Sequence, residues 1–338
     1  MKKIFLPLLM VVISILFFRL NTLAQDPHFS QYYASQSTVN PAFTGMFTGQ
    51  LKVSGLYRQQ WAQYGSPFTT ATIAFEIKPG KFVKDEFDNR FAIGAMLLTD
   101  KTPDGALQSN YAQLTAAYHK TIDENGFHRI GVGFMGGYGQ RRLNISALTF
   151  SNQFTTEGFD TNISSGETFN QFSLSHWDVQ AGILYSYEDE NNTGYLGVSA
   201  YHLTKPKNYF IHQQAIDNTI PQRYNINAGI NITGNNNLRY AASALYMNQG
   251  GAAEVLFGGA VGMPISNDGN NMLYAGSWLR LNESIIPTVN LQWNNMNIGL
   301  SYDVAYSNKT FTKPQSFELS IVWVKQQTYH TKTSCFGF

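Results

Sequence analysis

The residues able to do chemistry are few and poorly spaced for it. The seven histidines are His28, His119, His128, His176, His202, His212 and His330. None forms an HxH or HExxH pair and none adjoins the single cysteine, Cys335, so no zinc site is supported. No GxSxG elbow offers a serine nucleophile. Ser175 and His176 are neighbours in "SLSHW", but successive strand residues point to opposite faces, so they make no dyad by themselves. "DKTPDG" (100–105) has two aspartates yet lacks the ligand count of a calcium loop, and Pro103-Asp104-Gly105 is a turn signal. "GVGFMGGYG" (131–139) matches no phosphate-loop spacing; in a strand, glycine permits close approach and curvature. The expectation is a chain without catalytic residues, metal or cofactor.

The elements that would position any site must explain an unusual composition. Charged residues are 13%, against the ~25% of ordinary soluble proteins, while aromatics reach 14%, with 19 Tyr and 24 Phe. A net charge of +1 argues against a nucleic-acid partner, and one cysteine allows no internal disulfide. A water-facing surface needs charge. A transmembrane β-barrel needs an apolar, aromatic outer band and a polar lumen. Its sheet must also close, because hydrocarbon leaves no unpaired backbone group satisfied.

The sequence period is two. "RYNINAGINIT" sets Tyr224, Ile226, Ala228, Ile230 and Ile232 against Arg223, Asn225, Asn227, Gly229 and Asn231. "HWDVQAGILYSYE" sets Trp177, Val179, Ala181, Ile183, Tyr185 and Tyr187 against Asp178, Gln180, Gly182, Leu184 and Ser186. "MNIGLSYDVAY" and "SFELSIVW" repeat the pattern, and tyrosine and tryptophan gather near strand ends, as interfacial girdles require. Strands are predicted over 50–60, 67–77, 91–100, 108–119, 128–139, 174–187, 193–203, 222–232, 238–247, 253–263, 271–282, 285–293, 296–306 and 315–325. The fold class is therefore all-β: an up-and-down antiparallel transmembrane barrel of about 14 strands. Links such as "EDENN" (188–192), "GNNN" (234–237), "SNDGN" (266–270) and "NN" (294–295) read as short periplasmic turns. The two longest links, roughly 140–173 and 204–221, face outward, and the lumen reads as neutral, rich in Asn, Gln and Ser.

Before the strands come two other segments. Lys2 and Lys3, an apolar run from Ile4 to Phe18, and Thr22 and Ala24 at the −3 and −1 places predict a signal peptide over 1–24, cleaved after Ala24. Residues 25–47 hold the apolar anchors Phe29, Tyr32, Tyr33 and Phe43, together with a structural signature of Asn40, Pro41 and Gly45. Asn40-Pro41 predicts a turn and Gly45 a left-handed residue. The segment either packs into the periplasmic mouth as a plug or docks partners in the periplasm. The barrel then spans 48–325, and 326–338 form a periplasmic tail.

"QDPHFSQYYASQSTVNPAFTG" (25–45) resembles the opening of the PorP/SprF family of type IX secretion system membrane proteins. The likeness continues through "YRQQWAQYGSPFTT" (57–70), "DKTPDGALQSNYAQLTAAYH" (100–119), "QRRLNISALTFSNQF" (140–154), "YLGVSAYHLTKP" (195–206), "IPQRYNINAG" (220–229) and "IGLSYDV" (298–304). "ASQST" (34–38) and the final Cys335-Phe336-Gly337-Phe338 depart mildly from the family pattern. The resemblance implies an integral outer-membrane barrel of Bacteroidota, bathed in lipid, with both termini periplasmic. It implies support of export or surface attachment of a protein carrying a C-terminal secretion domain, often a large adhesin, in some members for gliding motility. Periplasmic secretion or peptidoglycan-linked components are further partners it implies. Partner-binding candidates are Arg58 and Trp61 at the outer end of the first strand, with Phe150, Phe154, Phe159 and Tyr209 on the two long links. Arg58 and Trp61 read equally as a loop arginine on an aromatic neighbour and a girdle tryptophan. The rival function is a porin-like channel for small solutes.

Overall fold

The computed structural model describes residues 26–79, 90–167, 172–207, 219–234, 237–266, 271–306 and 315–325. The predicted leader and tail lie outside them. The strands are β1 (Leu51–Gln60), β2 (Phe68–Ile77), β3 (Arg90–Lys101), β4 (Leu107–Thr121), β5 (His128–Leu143), β6 (Phe154–Thr155), β7 (Gly158–Phe159) and β8 (Ser173–Glu188). They continue as β9 (Asn192–Tyr201), β10 (Arg223–Thr233), β11 (Arg239–Gln249), β12 (Ala252–Pro264), β13 (Met272–Arg280), β14 (Ser284–Trp293), β15 (Met296–Ala305) and β16 (Gln315–Lys325). All except the β6–β7 hairpin form one closed barrel of 14 antiparallel strands. The seam joins β1 to β16, with Leu51 opposite Lys325 and Gln60 opposite Ser316.

Alternation is what closes it. In β10, Arg223, Asn225 and Asn227 are buried while Tyr224 and Ile226 are exposed; in β8, Asp178, Gln180 and Leu184 are buried while Trp177, Val179 and Ile183 are exposed. Most wall strands turn their apolar face outward, where lipid rather than protein covers it. Exposed rings mark both borders of that band: Tyr57, Tyr138, Trp177 and Tyr224 at one end, Phe91, Tyr118, Trp293 and Trp323 at the other.

The two ends differ. One end carries the links 144–172 and 202–222, and is called here the long-loop end. The other carries tight turns such as Asn294-Asn295 and 189–191, where the Asp189 side chain accepts the Asn191 and Asn192 N–H groups. This is the turn end. The first long link begins four residues later than its sequence suggests. Gln140, Arg141 and Arg142 stay in β5, opposite Asn110, Ser109 and Gln108 of β4. β4, β5 and β8 run 15, 16 and 16 residues, beyond the ~9–11 needed to cross a bilayer. They rise past the other strands at the long-loop end, where β5 keeps its register with β4 and β8.

The core sits inside the barrel. Residues 26–50 carry two short 3-10 turns, Gln36–Thr38 and Pro41–Phe43, and no strand. They run the whole length of the lumen. Asp26 meets His202, Arg223 and Gln249 at the long-loop end, and the Gln50 N–H meets the Lys325 carbonyl at the turn end. Phe29, Tyr32, Tyr33 and Val39 pack with Leu56, Leu245, Leu256, Trp278 and Ile286 of the wall. Ala42, Phe43 and Met46 pack on Leu184 and Tyr195. Two expectations are corrected. The segment runs the whole length of the lumen, where a partial plug entering from the periplasmic mouth was expected. The lumen is also not the uniform lining of neutral polar residues expected: β11 to β14 carry an apolar patch of Leu245, Leu256, Trp278 and Ile286, and the lining near the long-loop end is strongly charged.

Candidate functional site

The luminal segment and the wall around it form the densest set of polar contacts in the described structure. Near the long-loop end, inward alternation brings Arg58 of β1, Arg280 of β13, Asp303 of β15, Glu318 of β16 and Glu254 of β12 together. Arg280 lies 2.7 Å from Asp303 and 3.2 Å from Glu254. Arg58 lies 3.3 Å from Glu318 and 3.4 Å from Asp303. Charges so deeply removed from water need partners on every side, and the segment supplies the rest. The Ser30 and Gln31 N–H groups donate to the two oxygens of Glu318 at 2.7 and 2.8 Å, and the Ser30 hydroxyl donates to Asp303. Arg58 also donates to the His28 carbonyl, and His28 lies 2.9 Å from Glu254.

A clasp at the same end holds Asp26. Its carboxylate is 2.6 Å from His202 and 3.3 Å from Arg223, and the other ring nitrogen of His202 is 2.6 Å from Asp178. Burial alone would depress His202, but the Asp26 and Asp178 carboxylates outweigh it and push it up to about 9. Burial likewise opposes ionisation of Asp26, yet His202 and Arg223 hold it well below the usual carboxylate range.

Midway, the predicted signature takes shape. The Asn40 side chain accepts the Ala42 N–H, capping the Pro41–Phe43 turn, and donates to the Ile183 and Val198 carbonyls of β8 and β9. It sits in a recess that exists because Gly133, Gly182 and Gly197 lack side chains. A Cβ on Gly182 would stand 2.0 Å from Asn40 Oδ1, one on Gly197 2.7 Å from Asn40 Nδ2, and one on Gly133 2.4 Å from the Ala42 nitrogen. Gly45 has φ +85°, as its left-handed assignment required, and donates its N–H to Glu76. At the turn end, Phe47 lies under the ammonium groups of Lys52 and Lys78.

The predicted partner-binding residues part company. Arg58 is not at the outer rim or on an aromatic neighbour: it is 1% exposed and points into the lumen, because its place in the β1 alternation is an inward one. Trp61 is exposed beyond the end of β1, with φ 62°, and packs edge-on against Phe68. Phe154 and Phe159 face each other across β6–β7, ring centroids 5.0 Å apart, and both are exposed. Phe150, partly buried, opens the Ser151–Gln153 turn that precedes them. Tyr209 lies outside the described residues. Sequence reasoning missed Glu254, Arg280, Asp303 and Glu318 as a set. The available signal was a charge on the inward face of strands read as otherwise neutral, as in "SYDVAY" and "SFELS".

A closed antiparallel barrel with a lipid-facing exterior and a luminal segment of its own defines an outer-membrane-type β-barrel. It shares its fold with the toluene transporter TbuX of Ralstonia pickettii, at 12% identity and TM-score 0.52, covering 87% of this chain and 93% of that one. The toluene transporter TodX of Pseudomonas putida matches at 8% identity and TM-score 0.48, covering 90% and 98%. A Pseudomonas aeruginosa FadL homologue matches at 10% identity and TM-score 0.48, covering 86% and 94%. No curated protein matches the chain in sequence. The sequence profile of type IX secretion system membrane proteins PorP/SprF matches residues 21–323, and the chain belongs to that family.

Proposed function

We propose that this barrel is a non-catalytic outer-membrane part of a type IX secretion system that supports export or surface attachment of a cognate exported protein, of the adhesin kind, through its long loops. The observation that carries the reading is the occupied lumen. While residues 26–47 stay packed from one end to the other, the surfaces open to a partner are the two rims, and the larger is built from 144–172 and 202–222. The exposed Phe154–Phe159 pair gives that rim an apolar contact point. In this reading the long-loop end faces the medium and the turn end the periplasm, where secretion or peptidoglycan-linked components meet it. β16 then delivers residues 326–338 to the periplasmic side, while Asp26 lies toward the cell surface, opposite to the expectation of two periplasmic termini. The occupied lumen weighs against a porin-like channel for small solutes.

The test replaces residues 144–172 with a short turn. The exported partner then appears in the medium while the barrel still inserts and resists heat in detergent gels. Unchanged retention of the partner on cells defeats the proposal.

A further inference from the structure

A closed barrel has no spare backbone groups, since its ladders use them. A polypeptide inside it can satisfy its own N–H and C=O groups only through wall side chains, water or local turns. The wall here provides side chains for that task along the whole lumen. Besides the two N–H groups taken by Glu318, Arg223 donates to the Thr38 carbonyl at 2.9 Å and Tyr201 to that of Ser37 at 2.7 Å. Ser199 and Asn225 donate to the Val39 carbonyl at 2.6 and 2.7 Å. His119 lies 2.9 Å from the Thr44 carbonyl and Glu76 accepts the Gly45 N–H at 2.9 Å. All seven wall residues are buried. What they read is main chain, which every polypeptide carries. Side chains of the segment are read as well: Asp26 in its clasp, His28 by Glu254, Ser30 by Asp303 and Arg280, Gln31 by Ser301 and Ser320, and Asn40 in the glycine recess.

The occupant is tied to the wall covalently only at residues 48–50. Its far end lies toward the long-loop face beside a small recess, with room for about one water molecule, lined by Asp26, His28, Arg223, Met247 and Gln249. His202 and Arg223 are buried under Asp26, so a carboxylate on a second chain takes them as Asp26 leaves, and that chain can then replace the resident segment contact by contact. Each exchanged hydrogen bond is nearly neutral in free energy, because like replaces like.

We propose that the lumen is a polypeptide-binding site, that residues 26–47 are its resident occupant, and that a segment of the exported partner led by a carboxylate displaces them from the long-loop end. This rests on the partner reading above and adds where the partner's chain goes.

The experiment uses the full chain with a protease recognition sequence inserted between Thr48 and Gly49, purified in detergent and then cut. A fluorescent synthetic peptide of residues 26–47 is added in excess. The label enters saturably as the resident segment leaves. The same peptide N-methylated at Ser30 and Gln31 competes at least about tenfold more weakly, since Glu318 loses two charge-assisted donors. An Asp26→Asn peptide also competes more weakly. Retention of the resident segment with no uptake of label overturns the proposal, as does equal uptake of a scrambled peptide. Should the insertion block folding, hydrogen exchange of residues 26–40 in the uncut protein decides: faster exchange on adding the peptide supports displacement, and unchanged exchange overturns it. Neither readout involves partner retention on cells, so failure here leaves the loop-docking proposal standing, and the reverse.

Discussion

Alanine at Gly182 tests how the wall holds its contents. The new Cβ would lie 2.0 Å from Asn40 Oδ1, 2.9 Å from Asn40 Cγ and 3.2 Å from Pro41 Cδ. No rotation of the methyl relieves a contact with a Cβ, so Asn40 must leave its place. It then gives up the Ala42 cap and the bonds to Ile183 and Val198. A lost cap costs about 1 kcal/mol, and overpacking at a tight site adds about 1–3 kcal/mol, so G182A destabilises the packed segment by about 2–4 kcal/mol. N40A alone costs about 1–2 kcal/mol from the cap and hydrogen bonds. The double variant removes the obstacle along with the bonds, so its cost falls below the sum by about 1–3 kcal/mol, a coupling of the size expected for residues in contact. The assay is cleavage of residues 26–47 by protease added to the purified, inserted barrel, followed alongside the thermal midpoint in detergent. Strict additivity of the two substitutions would refute the reasoning, as would a G182A barrel whose segment resists cleavage like the unchanged protein.

Further expectations follow from the luminal contacts. Replacing Arg58 by methionine takes from Glu318 its arginine and leaves Asp303 with Arg280, and costs about 3–5 kcal/mol, read as a lower thermal midpoint; R58M combined with E318Q recovers part of it. The clasp is pH-dependent with a definite sign. His202, raised from 6.5 to about 9, contributes fully below 6.5 and loses its contribution as pH rises through 9. Asp26, lowered from 3.8, loses its contribution only on acidification below that value. Segment release is therefore slowest between about pH 4 and 6.5 and faster at pH 9.5, and H202Q abolishes the alkaline rise; an unchanged rise in H202Q contradicts the assignment. In planar bilayers the unchanged protein gives no steady conductance, and deletion of 26–47 opens one; a steady pore in the unchanged protein contradicts a filled lumen.

The strands were legible because each faces two different solvents. Residues such as Tyr224 and Ile226 have no other place than lipid once Asn225 and Asn227 turn inward, so period two gave their number and nearly their limits. Alternation says which residues share a face, not what lies opposite that face. β13 shows the difficulty: Tyr274 and Trp278 point inward while Ala275 and Ser277 point outward, so the aromatic side that reads as lipid-facing is the core. Arg58 failed for the same reason, being placed by proximity to Trp61 and not by its parity in β1. The Asn40-Pro41 and Gly45 signature was legible as local geometry. The three wall glycines that receive it come from three strands and are recognisable only once those strands are side by side.

The luminal segment is moored unequally. At the turn end it continues as covalent chain into the wall; toward the opposite end it is secured without covalent links, by the Asp26 clasp and by the contacts of His28, Ser30 and Gln31 with Glu254, Asp303 and Glu318. A load driving it toward the long loops is borne by peptide bonds, whereas a load drawing it the other way meets hydrogen bonds and ion pairs alone. The molecule thus behaves as a one-way stopper, firm against traffic in one direction and yielding to a pull from the other.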